Sequence, residues 1–269
     1  MNVTAMLFGS VIGLSLGLTG GGGAIFAVPL LVYGLDVPAR QAVGISLAAV
    51  GGTALVGFLN RLRAREVEPR TGLLFSAAGM VGAPFGARLS ELIPEAVLMT
   101  PFAGLMGIVA VRMWRRTLAS WRQRAACGPT GNAACQRDAS GELLLTSRCA
   151  MLLAFVGVAT GVLSGLFGVG GGFVIVPALV LFSGMAIHRA VGTSLLAITL
   201  VSSAGVATHL WAGRDVPLEL TALFVAGGVV GMLAGQALGR RLSGPALQRV
   251  FAVAMLLVAA FIIIKNHIA

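Results

Sequence analysis

The sequence predicts an all-α integral membrane protein made of two homologous repeats of about four hydrophobic segments each. The first segment of each repeat is expected to be broken at a glycine-rich run. Three observations predict this. The chain has 269 residues, of which 57% are hydrophobic and only 10% charged, where a soluble domain carries about 25% charged residues. Several apolar runs reach the ~18 residues of a membrane-span candidate and show no period-two alternation, which points to helices rather than barrel strands. The chain also repeats itself. Gly17-Leu18-Thr19-Gly20-Gly21-Gly22-Gly23 returns as Gly165-Leu166-Phe167-Gly168-Val169-Gly170-Gly171, each run continuing to a proline, Pro29 and Pro177. Over residues 17–34 against 165–182, nine of eighteen positions are identical. The same offset brings Ala42-Val43-Gly44-Ile45-Ser46-Leu47 onto Ala190-Val191-Gly192-Thr193-Ser194-Leu195, with five identities in six. A register held over forty residues marks a duplicated unit.

The segments follow in order. Residues 5–34 are the first apolar stretch, long for one span of roughly 20 residues. The chain opens without a basic residue before this stretch, so the segment is expected to stay rather than be cleaved as a signal. A short polar turn, Asp36 to Arg40, leads to the second segment at 41–59. The basic stretch from Asn60 to Arg70 precedes a third segment at 71–90 and a fourth at 96–113. Residues 114–148 are the one long polar stretch, rich in arginine and broken at Gly128-Pro129. They divide the chain into a first transmembrane repeat at 1–113, a cytoplasmic basic linker at 114–148 and a second repeat at 149–269. The second repeat reads as segments at 149–183, 190–210, 218–239 and 247–264. Gly82 and Gly86, and Gly227, Gly231 and Gly235, recur at intervals of four, which suits close helix packing in lipid.

A net charge of +10 fits basic residues holding loops on the cytoplasmic side better than nucleic-acid binding. Two topologies remain open. If the 5–34 and 149–183 segments each cross once with a break, the repeats are parallel and the 19 basic residues divide 13 to 6. If both are re-entrant hairpins, the repeats are inverted and the division is 15 to 4. Cys127, Cys135 and Cys149 form no Cys-x-x-Cys pair and read as reduced thiols on or near a cytoplasmic loop.

Consecutive glycines cost about 0.8–1 kcal/mol each in a helix relative to alanine, so Gly20 to Gly23 and Gly168 to Gly172 predict unwound backbone. Within a membrane such backbone must be buried in protein or line a watery cavity. The segments from about Ile25 and Phe173 would then begin as half-helices, with positive dipole ends at the break. Paired interruptions in two repeats point to a transporter's substrate site; the plainer alternative is glycine for tight packing alone. The candidate substrate-binding residues are Gly20, Gly21, Gly22, Gly23, Ser46, Gly168, Gly170, Gly171, Gly172, Thr193 and Ser194. The serine and threonine hydroxyls offer donors without charge, or else bond back to their own helix. Ser15, Thr19 and Ser164 are weaker candidates of the same kind. Asn60 and His209 are possible pathway residues near segment ends; in register, Asn60 falls on Thr208 and Arg61 on His209. All nine acidic residues lie in loops or at segment ends, and no Gly-x-x-x-x-Gly-Lys-Ser/Thr run occurs, so P-loop hydrolysis, intramembrane acid–base catalysis and a metal site are poorly supported. No cofactor is expected.

The paired glycine runs with Pro29 and Pro177, the Ala-Val-Gly-x-Ser-Leu blocks and the stretch Gly82-Ala83-Pro84-Phe85-Gly86-Ala87 resemble the sulfite exporter TauE/SafE family over nearly the whole chain outside the linker. Gly21 stands where the second run has Val169, so the two half-sites need not be alike. The resemblance implies a multi-pass transporter of the bacterial inner membrane that moves a sulfur-containing anion such as sulfite or an organosulfonate, often outward. Alternating access would come from rocking one half against the other. A carrier or channel for another small anion, or a structural membrane protein, is the alternative. Replacing Gly22 and Gly171 with alanine is expected to cut transport while leaving the protein folded; undiminished flux in both variants removes the glycine-run site.

Overall fold

The computed structural model describes residues 2–92, 147–167, 172–211 and 217–243, with isolated positions between 104 and 115 and between 246 and 260. The segments expected at 96–113 and 247–264, and the linker, lie largely or wholly outside the described residues. Eight helices are described: α1 Asn2–Thr19, α2 Gly23–Gly34, α3 Ala39–Arg63, α4 Pro69–Leu92, α5 Ser147–Phe167, α6 Gly172–Phe182, α7 Ile187–Trp211 and α8 Leu218–Arg241. No strand occurs among the described residues. Helices α3, α7 and α8 each hold a stretch long and apolar enough to cross a membrane. The protein is a membrane protein whose described residues build helices and no strand.

Each helix follows from its sequence. The polar turn Asp36-Val37-Pro38 stops α2 and starts α3, with Asp36 at φ 52° and Pro38 flanking the first turn. Helix α3 runs on through Arg61 and Arg63, so part of the expected basic loop is helix. Gly184 at φ 64° ends the turn after α6, a conformation glycine adopts without a Cβ penalty. Ala39 and Ile187, which begin α3 and α7, are 148 positions apart, as are their last residues, Arg63 and Trp211.

Close backbone contacts fix the helix directions. Gly227, Gly231 and Gly235 of α8 face Met6, Ser10 and Leu14 of α1, so these helices run parallel. The α1 side of that seam is a row of its own, Gly9, Gly13 and Gly17, set against Phe224, Gly228 and Met232. Helices α4 and α5 pair in the same way, with Gly157 on Phe75 and Gly161 on Gly79. Thr53 on Gly228 and Gly57 on Met232 make α3 parallel to α8. Gly72 on Leu196 and Gly79 on Val201 make α4 parallel to α7. By contrast, Gly51 faces Ser202 and Gly205 faces Leu47, so α3 and α7 are antiparallel. Helices α1, α3 and α8 therefore run one way, and α4, α5 and α7 the other.

The short helices fold back. Gly23 sits against Ile12 and Leu16, and Gly34 against Phe8, so α1 and α2 form an antiparallel hairpin turning at Gly20 to Gly22. With 12 and 11 residues, α2 and α6 are about 18 and 17 Å long, too short for a hydrocarbon core of ~30 Å. They begin at Gly23 and Gly172, slightly earlier than the expected Ile25 and Phe173.

The cysteine reading needs correction. Cys149, fully buried near the start of α5 beside Leu153 and Leu74, is disulfide-bonded. Cys127 and Cys135 lie outside the described residues. Spacing along the chain is silent on this, because a disulfide requires closeness in space rather than in sequence.

The seam predicts its own sensitivity. A Cβ on Gly231 would run into the Ser10 carbonyl, whereas one on Gly52 would meet Val225 at an ordinary 3.5 Å. Gly231→Ala is expected to destabilise the protein by about 1–3 kcal/mol, and Gly52→Ala to change little. Thermal unfolding in detergent measures both; equal midpoints would mean that α1 and α8 do not pack through this row.

Candidate functional site

The site is built from two helix starts and the crossing helices that enclose them. Gly20 has φ 74°, a left-handed turn that reverses the chain after α1. Its backbone is held from outside the hairpin: the Ser194 hydroxyl lies 2.7 Å from the Gly20 carbonyl and 2.8 Å from that of Val191. One hydroxyl proton serves one of these oxygens, so Ser194 works here as a brace for the turn. A Cβ at Gly20 would press on the Val191 backbone at 2.8 Å, so only glycine fits both the turn and the neighbour. Thr19 supplies the turn's inner bonds. Its hydroxyl accepts from the Gly22 N–H at 2.9 Å and donates to the Ser15 carbonyl at 2.6 Å.

The second glycine run is described from Gly172. A Cβ there would lie 3.0 Å from the Gly21 carbonyl oxygen and 2.8 Å from Ile198. The two runs, 148 residues apart in sequence, thus touch. Ile198 is the twelfth of the twenty-five residues of α7, so they touch at its mid-height. Helix α2 returns antiparallel to α3 through a four-residue turn, and α6 does the same before α7. Since α3 and α7 oppose each other, α2 and α6 leave the contact in opposite directions, with both N-termini at the centre. The first N–H groups of each have no intrahelical acceptor, and each end carries about half a positive charge. Gly20, Gly21, Gly22, Gly23 and Gly172 are all buried, as an irregular backbone in a membrane must be.

The other expected residues divide. Ser46 is buried in α3. Thr193 is buried, and its hydroxyl accepts from the Glu68 N–H at 3.1 Å, which ties the α3–α4 turn to α7. Asn60 donates to the Gln236 side-chain oxygen at 2.6 Å, and Gln236 in turn donates to the Gly57 carbonyl at 2.9 Å. Gly168, Gly170 and Gly171 lie outside the described residues. For His209 only its place near the last turn of α7 is described, at the opposite end from Asn60.

Sequence reasoning did not find a second polar cluster. Arg61, the last but two of α3, is 0% exposed. Its Nη1 donates to Glu66 at 2.8 Å and to the His188 carbonyl at 3.3 Å. Its Nε and Nη2 are buried and have no hydrogen-bond partner among the described residues. An orphaned buried donor costs about 1–3 kcal/mol, more on a charged group. Glu66 folds back over α3, its N–H bonded to the Arg61 carbonyl at 3.1 Å and its own carbonyl against Gly192. Glu68 lies 3.6 Å from Arg189. Residues 64–68 thus form a strap across the start of α7. The available signals were an arginine two residues beyond an apolar segment's end and Gln236, an amide amid the small and apolar residues of α8. Among the described residues, no group of acidic, histidine or cysteine side chains is arranged to hold a metal ion.

Known proteins place this chain in a family. The chain is 33% identical over 264 residues to a probable membrane transporter protein of Xylella fastidiosa strain Temecula1, covering 96% of this chain and 93% of that protein. It is 31% identical over 195 residues to the probable membrane transporter protein YdhB of Bacillus subtilis, covering 72% of this chain and 73% of that one. A probable membrane transporter protein of the archaeon Methanocaldococcus jannaschii shares 26% over 218 residues. No solved structure matches the chain. The family described as sulfite exporter TauE/SafE matches residues 5–262, and the chain belongs to that family of membrane transporters.

Proposed function

We propose that the protein is a secondary transporter that moves a small sulfur-containing anion, of the sulfite or organosulfonate class, outward across the bacterial inner membrane. The observation that carries this reading is the contact between Gly21 and Gly172 at the mid-height of α7. Two half-helix N-termini aimed at one point from opposite directions make a region of positive potential without a fixed charge. An anion can be held there by backbone N–H groups and released again. Gly20 to Gly23, Gly168 and Gly170 to Gly172 form the two breaks in this reading, with the Ser46, Thr193 and Ser194 positions around them. Ser194 braces the first break, and Asn60 and His209 stand toward opposite mouths.

The opposed helix directions favour inverted repeats, residues 1–113 and 149–269, joined by the linker at 114–148. In this arrangement each glycine run is the tip of a re-entrant hairpin. The starts of α4 and α7 and the ends of α3 and α8 share one end of the molecule. This end holds Arg61, Arg63, Arg65, Arg70, Arg189, Arg240 and Arg241, and is assigned to the cytoplasm. The helices of the two halves interleave, since α1 packs on α8 and α4 on α5. Rocking of one chain half against the other would pull these seams apart, so the moving parts are instead the hairpin tips against the α3–α7 crossing.

The inside of a respiring cell is negative, and one elementary charge is worth about 2.3 kcal/mol per 100 mV. An uncoupled anion carrier therefore runs outward. Purified protein in liposomes is expected to give saturable efflux of radiolabelled sulfite that accelerates when the inside is made negative. Methanesulfonate should compete. Absence of both sulfite flux and sulfonate competition would remove this substrate class, and flux that never saturates would replace the carrier with a channel.

The topology is tested separately. Single cysteines introduced as Arg65→Cys and Ala186→Cys should react with an impermeant maleimide from the same face of the membrane, and Asp36→Cys from the opposite face. Labelling of Ala186→Cys together with Asp36→Cys would establish parallel repeats instead.

A further inference from the structure

We propose that the Nε–Nη2 edge of Arg61 is an oxyanion-binding site at the cytoplasmic end of the pathway, covered by the 64–68 strap. This rests on the anion-transport function proposed above and adds a residue to it. The guanidinium is fully buried, yet among the described residues only Nη1 is engaged, by Glu66 and the His188 carbonyl. The free pair, Nε and Nη2, is the planar fork that receives two oxygens of a carboxylate, sulfonate or sulfite group in parallel. An arginine placed only to pair with Glu66 would bring that fork to the carboxylate; here the fork is turned away from it.

The surroundings suit an anion in transit. His188 lies one turn before Val191, the residue against which Gly20 packs, so the guanidinium is tied to α7 about one helical turn from the first glycine break. Arg240, one turn beyond Gln236 on α8, contributes a second positive charge that acts on Arg61. Arg189 lies one residue beyond His188, its charge held near Glu68. The Glu66 carboxylate is the negative group facing the guanidinium, and it belongs to the strap itself. An oxyanion arriving on the fork competes with Glu66 for the same cation. Its binding therefore weakens the tie that keeps the strap down, which couples occupancy to opening at this end. The strap's second tie, the Glu68 N–H to Thr193, lies one turn further along α7 and keeps the loop in register when the first is released.

The test is equilibrium binding of radiolabelled sulfite to the purified full-length protein in detergent, with methanesulfonate as competitor. Arg61→Lys keeps the charge and removes the fork. It is expected to weaken sulfite binding at least tenfold while the protein elutes and melts as the wild type does. Unchanged affinity in folded Arg61→Lys overturns the site. If Arg61→Lys does not purify as folded protein, Glu66→Gln decides: removing the competing carboxylate should tighten sulfite binding several-fold, and an unchanged or weaker affinity overturns the proposal. Wild-type protein that binds neither sulfite nor methanesulfonate refutes the proposed substrate class itself, a result distinct from wild-type binding that is indifferent to Arg61.

Discussion

The architecture depends on one requirement: a peptide group within a bilayer must find its hydrogen-bond partner inside the protein. A helix meets that requirement by itself, and a broken helix does not. Where α1 stops, the Gly20 N–H still reaches the Leu16 carbonyl at 2.7 Å, but backbone groups beyond it lose their helical partners. Thr19 takes one N–H, Ser194 takes one carbonyl, and the surrounding helices exclude lipid from the rest. The enclosing elements therefore have to approach very closely, which bulky side chains would prevent. The glycine rows on α1, α4, α5 and α8 satisfy that demand at the seams, and the glycines of the two runs satisfy it at the centre.

The same requirement bears on where the proposed site falls. Backbone groups that are protected from lipid but not used by a helix are the polar groups a membrane protein can offer a small anion without burying a permanent charge. Arg61 shows the other solution, a buried charge kept at the end of a span, where a short strap and a counter-charge suffice to hold it. The two arrangements differ in strength. A helix end screens and releases easily, while a guanidinium fork grips. A pathway that uses the fork near its mouth and the helix ends at its centre offers tighter binding where the anion enters and looser binding where it turns over.

Much of this could be read from the residues. Helical class and the approximate extents of α3, α4, α7 and α8 follow from apolar run length and proline placement. Even the close packing at Gly227, Gly231 and Gly235 is a matter of spacing. What stayed hidden depends on helix directions. The first segment of 30 residues has the same composition whether it crosses once or doubles back, and only the contacts of Gly23 and Gly34 with α1 distinguish the two. The partner row at Gly9, Gly13 and Gly17 lies at ordinary positions of an apolar run until α8 is seen against it. Arg61 reads as one more residue of the basic stretch from Asn60 to Arg70, because sequence shows how far a residue lies from a segment's end, not what folds over it. The disulfide at Cys149 is invisible for the same reason.

The seam between α1 and α8 bears on how the chain is made. Gly13 meets Gly228, so α1 rests against a helix that is synthesised long after it. At about 5–20 residues per second of synthesis, α1 waits on the order of 10–40 s for its partner. During that wait its glycine face is open to lipid or to other proteins in the membrane. Insertion of this chain therefore includes a stage at which a finished helix is held in reserve for its partner.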